Sequence, residues 1–212
     1  MQWAADSISD RKRKMIDFSL YQFSPVIDLP ATYEVFDFTR GYDPERDLKG
    51  EFGIGRYDED RREMYETALF KTGEAPRTIH VGIDIGAPVG TPVKAFYDGE
   101  IFLVGNNAAE GDYGHTVITR HVLGGLELFA LHGHLATRSI RERTPGTAFR
   151  AGEVIAWVGD RHENGGWNPH LHFQLCLEKP AVCDMPGVVA PSERERALRV
   201  YPDPRFVLGK LY

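Results

Sequence analysis

The chain has 212 residues, of which 42% are hydrophobic and 26% charged, so it can bury a sizeable core without disulfide or metal staples. A net charge of −6 excludes the basic balance of a nucleic-acid binder, and the lack of any apolar run of about 18 residues excludes a membrane-spanning helix. Two cysteines, Cys176 and Cys183, are too few for a disulfide scaffold and read as free thiols.

The amino terminus carries the basic tetrad Arg11–Lys14, read as a solvated helix end. No apolar stretch of about 7–15 residues follows it, as a secretory leader would require. The expectation is a cytoplasmic protein as the chain stands, or a secreted or periplasmic one whose leader has been removed. Residues 21–55 look irregular but are too aromatic for a disordered linker, and are expected to wrap against the main domain. A helix is expected over about 58–71. Asp58 serves as its N-cap, Glu59 and Asp60 fill its first turn, and Met64, Tyr65, Ala68 and Leu69 recur at helical spacing. Tyr57 and Arg61 could face a site.

From Arg77 the texture changes to short strands separated by glycine turns. Residues 78–85 alternate, with Ile79, Val81, Ile83 and Ile85 on one face and His80, Gly82 and Asp84 on the other. Glycine at 82 leaves space between an imidazole and a carboxylate. Asp98-Gly99 signals a hairpin between 93–97 and 100–105, and Gly124-Gly125 joins a strand through His115–His121 to one through Leu126–Leu135. The latter carries His132 and His134. Another strand follows at 154–159. The turns leave no room for helical crossovers, so the sheet is antiparallel.

Residues 168–177 also alternate. Leu171, Phe173, Leu175 and Leu177 form an apolar row, while His170, His172, Gln174 and Cys176 form the opposite one. Two imidazoles on one strand face lie about 7 Å apart and can aim at one point, and imidazole is the commonest metal ligand among side chains. An isolated His-x-His is more often a surface strand, so its meaning depends on ligands elsewhere. Cys176 reads as an inert buried thiol rather than a further ligand. Residues 180–191 look like a loop, and Ser192 can cap a short helix over 193–199.

Taken in order, His80-x-x-x-Asp84, Gly90-Thr91-Pro92-Val93-x-Ala95, Asp98-Gly99, Tyr113-Gly114, Gly133-His134-Leu135, Gly152-Glu153-x-Ile155 and His170-Leu171-His172-Phe173 resemble the lysostaphin/LytM-type zinc endopeptidases. The resemblance implies a mainly β fold: an antiparallel lysostaphin-type peptidase core, duplicated-hybrid-motif-like, over residues 77–178. Residues 1–76 would be an extension packed on that core, and 179–212 a loop and short helix. It implies Zn2+ held by His80, Asp84 and His172, with His134 and His170 as the catalytic pair. Two imidazoles and one carboxylate leave a fourth position open, and no His-Glu-x-x-His helix supplies a glutamate base, so histidine must do the proton work. Asn168, His132 and His162 are candidate groove residues. The implied partner is a peptide substrate, with bacterial cell-wall peptidoglycan the family's usual one. Against this stands a non-catalytic metal-binding or regulatory domain of the same fold, which the full set of five residues disfavours. A lipoyl- or biotinyl-carrier reading lacks a lysine at a hairpin tip.

Overall fold

The structure is a computed structural model that describes residues 15–45, 47, 51–65, 68–71 and 75–212. The basic tetrad at 11–14 lies outside them. The fold is mainly β with antiparallel pairing dominant, as the alternation predicts. The first three strands are short: β1 (Glu34–Val35), β2 (Gly53–Gly55) and β3 (Glu59–Asp60). Next come β4 (Ile79–His80), β5 (Ile83–Gly86), β6 (Pro92–Lys94) and the three long strands β7 (Gly99–Asn107), β8 (Gly114–Leu123) and β9 (Leu126–Leu135). Helix α1 (Thr137–Arg141) precedes β10 (Ala148–Phe149), β11 (Val154–Trp157), β12 (His170–Cys176) and β13 (Val188–Val189). Helices α2 (Arg194–Val200) and α3 (Arg205–Leu208) close the chain. Among the described residues no helix is long and apolar enough to cross a membrane.

The main sheet has eight strands in the order β1-β2-β5-β12-β9-β8-β7-β10. The β8–β9 hairpin turns through Gly124 and Gly125 at φ 58° and 80°, the left-handed pair that a two-residue hairpin loop requires. The segment ahead of the core does more than pack on it: β2 pairs directly with β5, with Gly55 opposite Asp84. Strand β12 sits between β5 and β9. Its apolar row, Leu171, Phe173 and Leu175, enters the main core with Ile83, Ile85, Val117 and Ala130.

Several local expectations are corrected. The helix over about 58–71 does not form among the described residues of that span. Asp58 takes φ 56° instead of capping, and its carboxylate pairs with Arg194. The chain then runs extended as β3 along β4, placing Glu59 opposite His80, and only a single 3-10 turn (Ala68–Lys71) follows. Sheet pairing and burial of Glu59 and Arg61 outweigh a helical propensity that is a weak prior. Asp98-Gly99 is not a hairpin loop, because β6 pairs with β11 while β7 pairs with β8 and β10. Instead Asp98 accepts from the Ala151 amide. Gly99 lets β7 approach β8, since a Cβ there would meet the Arg120 carbonyl at 2.5 Å. Strand β12 is buried on both faces rather than half-buried. Leu177 lies past its end and is exposed. The carboxy-terminal helix forms one residue later than expected and without a Ser192 side-chain cap.

Candidate metal centre and catalytic histidines

The predicted site residues converge because the strand over 78–85 is broken. Four residues of straight strand would separate His80 and Asp84 by about 13 Å. The chain instead leaves the β3-β4-β13 sheet after His80 and joins the main sheet at Ile83. Across that bend His80 Nε2 lies 3.3 Å from Asp84 Oδ1. The alternating apolar row splits accordingly, Ile79 and Val81 packing in one cluster and Ile83 and Ile85 in another. Gly82 does leave room, and the His172 ring fills it: a Cβ at 82 would stand 2.4 Å from His172 Cε1.

His172 Nδ1 completes a triangle of donors, 3.1 Å from Asp84 Oδ1 and 3.1 Å from His80 Nε2. Among the described residues this is a group of buried side chains able to hold a metal ion. Ligands about 2.0–2.1 Å from a tetrahedral zinc stand about 3.3–3.4 Å apart, so the triangle fits with almost no rearrangement. The far side of each donor is anchored. His80 Nδ1 donates to the Arg56 carbonyl at 2.8 Å, leaving the Nε2 lone pair facing the site. His172 Nε2 donates to Gln174 Oε1 at 3.0 Å, and the Gln174 amide donates in turn to the Pro186 carbonyl, leaving Nδ1 free. Asp84 Oδ2 accepts from Arg61 Nη1 at 2.6 Å, so Oδ1 faces the histidines.

The electrostatics suit a cation between these groups. Burial, and then the Arg61 cation, push His80 down to about 4, so its ring is neutral at pH 7. Burial alone would raise Asp84, but the Arg61 guanidinium against Oδ2 offsets it and helps hold the carboxyl well below its ordinary range.

His134 and His170 stand beside the triangle with ring centroids 4.2 Å apart. Each Nδ1 donates to a backbone carbonyl at 2.7 Å, Asn164 for His134 and Asn168 for His170. Both Nε2 atoms therefore carry the lone pair, and His170 Nε2 lies 3.9 Å from Asp84 Oδ1. Desolvation drives both imidazoles below their ordinary value, His134 well below it. His134 occupies φ 62°, a left-handed conformation uncommon outside glycine, held by its amide on the Tyr113 carbonyl and its carbonyl on the Gly159 amide. Asn164 is fully buried and ties the 164–167 turn together, its Oδ1 accepting from the Gly166 and Trp167 amides.

The three candidate groove residues are placed elsewhere. His132 is fully buried, with its ring 5.3 Å from Phe173 in the core. The His162 side chain is 95% exposed, over a separate depression beside His115 and Glu163. Asn168 turns its amide to the Pro44 and Asp47 carbonyls, pinning the amino-terminal segment, while its own carbonyl orients His170. Cys176 bonds locally to Glu178 and takes no part, in line with an inert thiol. The cleft over the site holds about 760 Å³ of open space. Its walls include Tyr65, Phe70 and Arg77 from the amino-terminal segment, Trp167, and the 184–188 loop. Sequence reasoning missed Gln174 and Asn164 as orienting groups. Gln174 was visible as a member of the polar row on β12, whereas nothing in the pattern singled out Asn164.

Comparison with known proteins decides the family. The model for peptidase family M23 matches residues 78–183. The chain belongs to peptidase family M23. Among relatives of this M23 chain, the DD-carboxypeptidase/endopeptidase Mpg of Neisseria meningitidis serogroup B is 42% identical over 96 residues, which is 45% of this chain and 20% of that protein. The murein hydrolase activator EnvC of Escherichia coli is 34% identical over 105 residues, covering 50% and 22%. The chain thus spans about a fifth of the length of these curated relatives. Among solved structures, the catalytic domain of lysostaphin from Staphylococcus simulans superposes with a TM-score of 0.46 at 22% identity, covering 75% of this chain and 93% of that one.

Proposed function

We propose that this M23 chain is a zinc-dependent endopeptidase that hydrolyses peptide bonds of bacterial cell wall or a related peptide. The observation that supports it most is the donor triangle of His80, Asp84 and His172 with two lone-pair-bearing Nε2 atoms beside it, in the floor of one open cleft. Zinc held by those three residues supplies Lewis acidity, polarising the scissile carbonyl and lowering the pKa of a water. The chain supplies the proton handling. His134 and His170 are neutral at pH 7 with Nδ1 committed to a carbonyl, so either Nε2 can accept the proton of the attacking water and return it to the leaving amine. The partner imidazole, within the same 4.2 Å pair, would stabilise the developing oxyanion as the imidazolium, donating from Nε2 once that nitrogen has taken up a proton. A cell-wall substrate places this work outside the cytoplasmic membrane. The Mpg relative is named a carboxypeptidase and endopeptidase, which favours a peptide substrate.

The competing reading is a non-catalytic regulatory domain, favoured by the similarity to EnvC, whose name describes an activator. Zinc content and cleavage of purified peptidoglycan and glycine-rich peptides, measured on one sample beside His172→Ala, separate the two. About one zinc per chain together with cleavage, both lost in the variant, is the expected result. Zinc without cleavage of any of these substrates favours the regulatory domain, and no zinc even after its addition ends the metal-site reading.

Gly82→Ala gives a second check. The added methyl displaces the His172 ring, so zinc affinity is expected to fall by about 10–100-fold, as when an orienting contact is lost. Chelator competition measures it, and an unchanged affinity would show that His172 is not a ligand.

A further inference from the structure

Glu59, Arg61 and Asp84 form a buried chain of charges. It joins a segment outside the family match to the carboxylate of the metal site. Arg61 is completely buried. Its Nη1 donates to Asp84 Oδ2 at 2.6 Å and to the Tyr65 hydroxyl at 3.1 Å, its Nε to Glu59 Oε2 at 2.9 Å, and its Nη2 to the Arg56 carbonyl at 3.2 Å. The guanidinium lies over the Phe38 ring, 4.7 Å from its centroid. Gly55 on β2 makes room for the pair, since a Cβ there would meet Arg61 Nη2 at 2.9 Å and Asp84 Oδ2 at 3.0 Å. Glu59 is itself shared, with Arg56 Nη2 2.5 Å from Oε1.

A buried ion network is weak evidence for stability, because apolar side chains of similar volume often serve as well. A guanidinium beside a site for a divalent cation is electrostatically adverse as well. Its geometry nevertheless has a specific consequence. With Oδ2 occupied, Asp84 has Oδ1 alone to offer a cation held beside the two histidine nitrogens.

We infer that Arg61 is a positioning residue of the metal centre: it clamps Oδ2 of Asp84 so that the carboxylate presents one donor oxygen, and Glu59 sets how much positive charge the clamp imposes on the site. This rests on the metal-site reading above. A carboxylate held to one oxygen keeps the coordination number low and a position open for substrate chemistry. A cation on its other oxygen withdraws electron density from Asp84 and preserves the Lewis acidity that peptide hydrolysis needs.

The test uses the full chain, with Arg61→Gln and Glu59→Gln beside wild type. Zn2+ affinity is read by chelator competition at pH 7.5, and coordination number by the visible spectrum after Co2+ loading. Arg61→Gln removes a cation next to the site and is expected to bind zinc at least about tenfold more tightly. Its cobalt spectrum weakens as Oδ2 becomes a second donor. Glu59→Gln leaves Arg61 paired with Asp84 and not with Glu59, and is expected to bind zinc about tenfold more weakly, with the cobalt spectrum unchanged. A scaffold residue would weaken binding in both variants, and that result overturns the inference, as does wild-type affinity in Glu59→Gln. If Arg61→Gln does not fold, Glu59→Gln decides alone: weaker binding with an unchanged spectrum supports the inference, and any other combination overturns it. Wild type that binds no metal fails the underlying metal-site reading, whereas wild type that binds metal with both variants alike fails only the role of Arg61.

Discussion

Replacing His134 by Asn is expected to lower kcat/KM for a cleavable cell-wall peptide by about 10²–10⁴-fold, with zinc content close to wild type. The choice of Asn follows from the backbone. His134 sits at φ 62°, where asparagine is tolerated and alanine is strained, so the variant removes the imidazole without forcing the β9 end to rearrange. His134 lies outside the donor triangle, and its Nδ1 anchor is a backbone carbonyl, so its loss leaves His80, Asp84 and His172 in place. His170→Asn is expected to act similarly, again sparing the metal. Because the two rings are 4.2 Å apart and act as a unit on one transition state, the double variant is expected to cost little more than either single one. Steady-state kinetics on a defined peptide, with zinc measured on the same samples, checks all three. Activity within about threefold of wild type in His134→Asn would remove it from the catalytic pair. Multiplicative losses in the double variant would show that the two rings act in separate steps.

The family core was legible because its chemistry rides on period-two strands. The alternation over 170–177 placed His170 and His172 on one face, and the ordered glycine-punctuated motifs tied them to His80, Asp84 and His134. What alternation could not show was the break after His80. A continuous strand would have kept His80 and Asp84 too far apart to share an ion, and only the change of sheet brings Nε2 and Oδ1 to 3.3 Å. The amino-terminal segment was misread for a related reason. Glu59 reads as a first-turn helix residue and Arg61 only as a residue that could face a site, yet each is buried because the other is there, together with Asp84 from 23 residues onward. Such pairing is a tertiary fact with no local signature. His132 was carried into the groove with the family resemblance, not by strand parity. A strand buried on both faces gives two inward rows, and the left-handed residue at 134 turns one histidine to the cleft while 132 stays in the core.

That core histidine carries the other large expected effect, a loss of stability in acid. His132 and His121 are buried away from the metal site, and burial holds both neutral: His132 is lowered to about 3 and His121 to about 4. His121 donates from Nδ1 to the Asp98 carbonyl at 3.0 Å and meets the Thr119 hydroxyl at Nε2, with Phe96 4.1 Å away. His132 has one weak bond, to the Val117 carbonyl at 3.3 Å, and its Nε2 has no partner. Protonation therefore places a charge in the core with nothing to receive it. Since the folded values lie below the ordinary 6.5, the unfolded chain binds more protons between them. Stability is thus fully present above about pH 6.5 and is lost as pH falls towards 4 and then 3. Each histidine contributes up to about 1.4 kcal/mol per pH unit, so the pair costs about 5 kcal/mol by pH 4.5, comparable to the whole stability of many domains. Urea unfolding from pH 7.5 to 4.5, with chelator present to remove any metal contribution, measures the slope. His132→Leu is expected to cut it by about 1.4 kcal/mol per pH unit, because it deletes one titrating group while filling a similar apolar space against Phe173. Other buried histidines titrate in both proteins, so the difference between wild type and variant isolates His132. An identical slope in the two would mean that His132 is already solvated in the folded protein, and that the packing around Phe173 is looser than the fully buried ring implies.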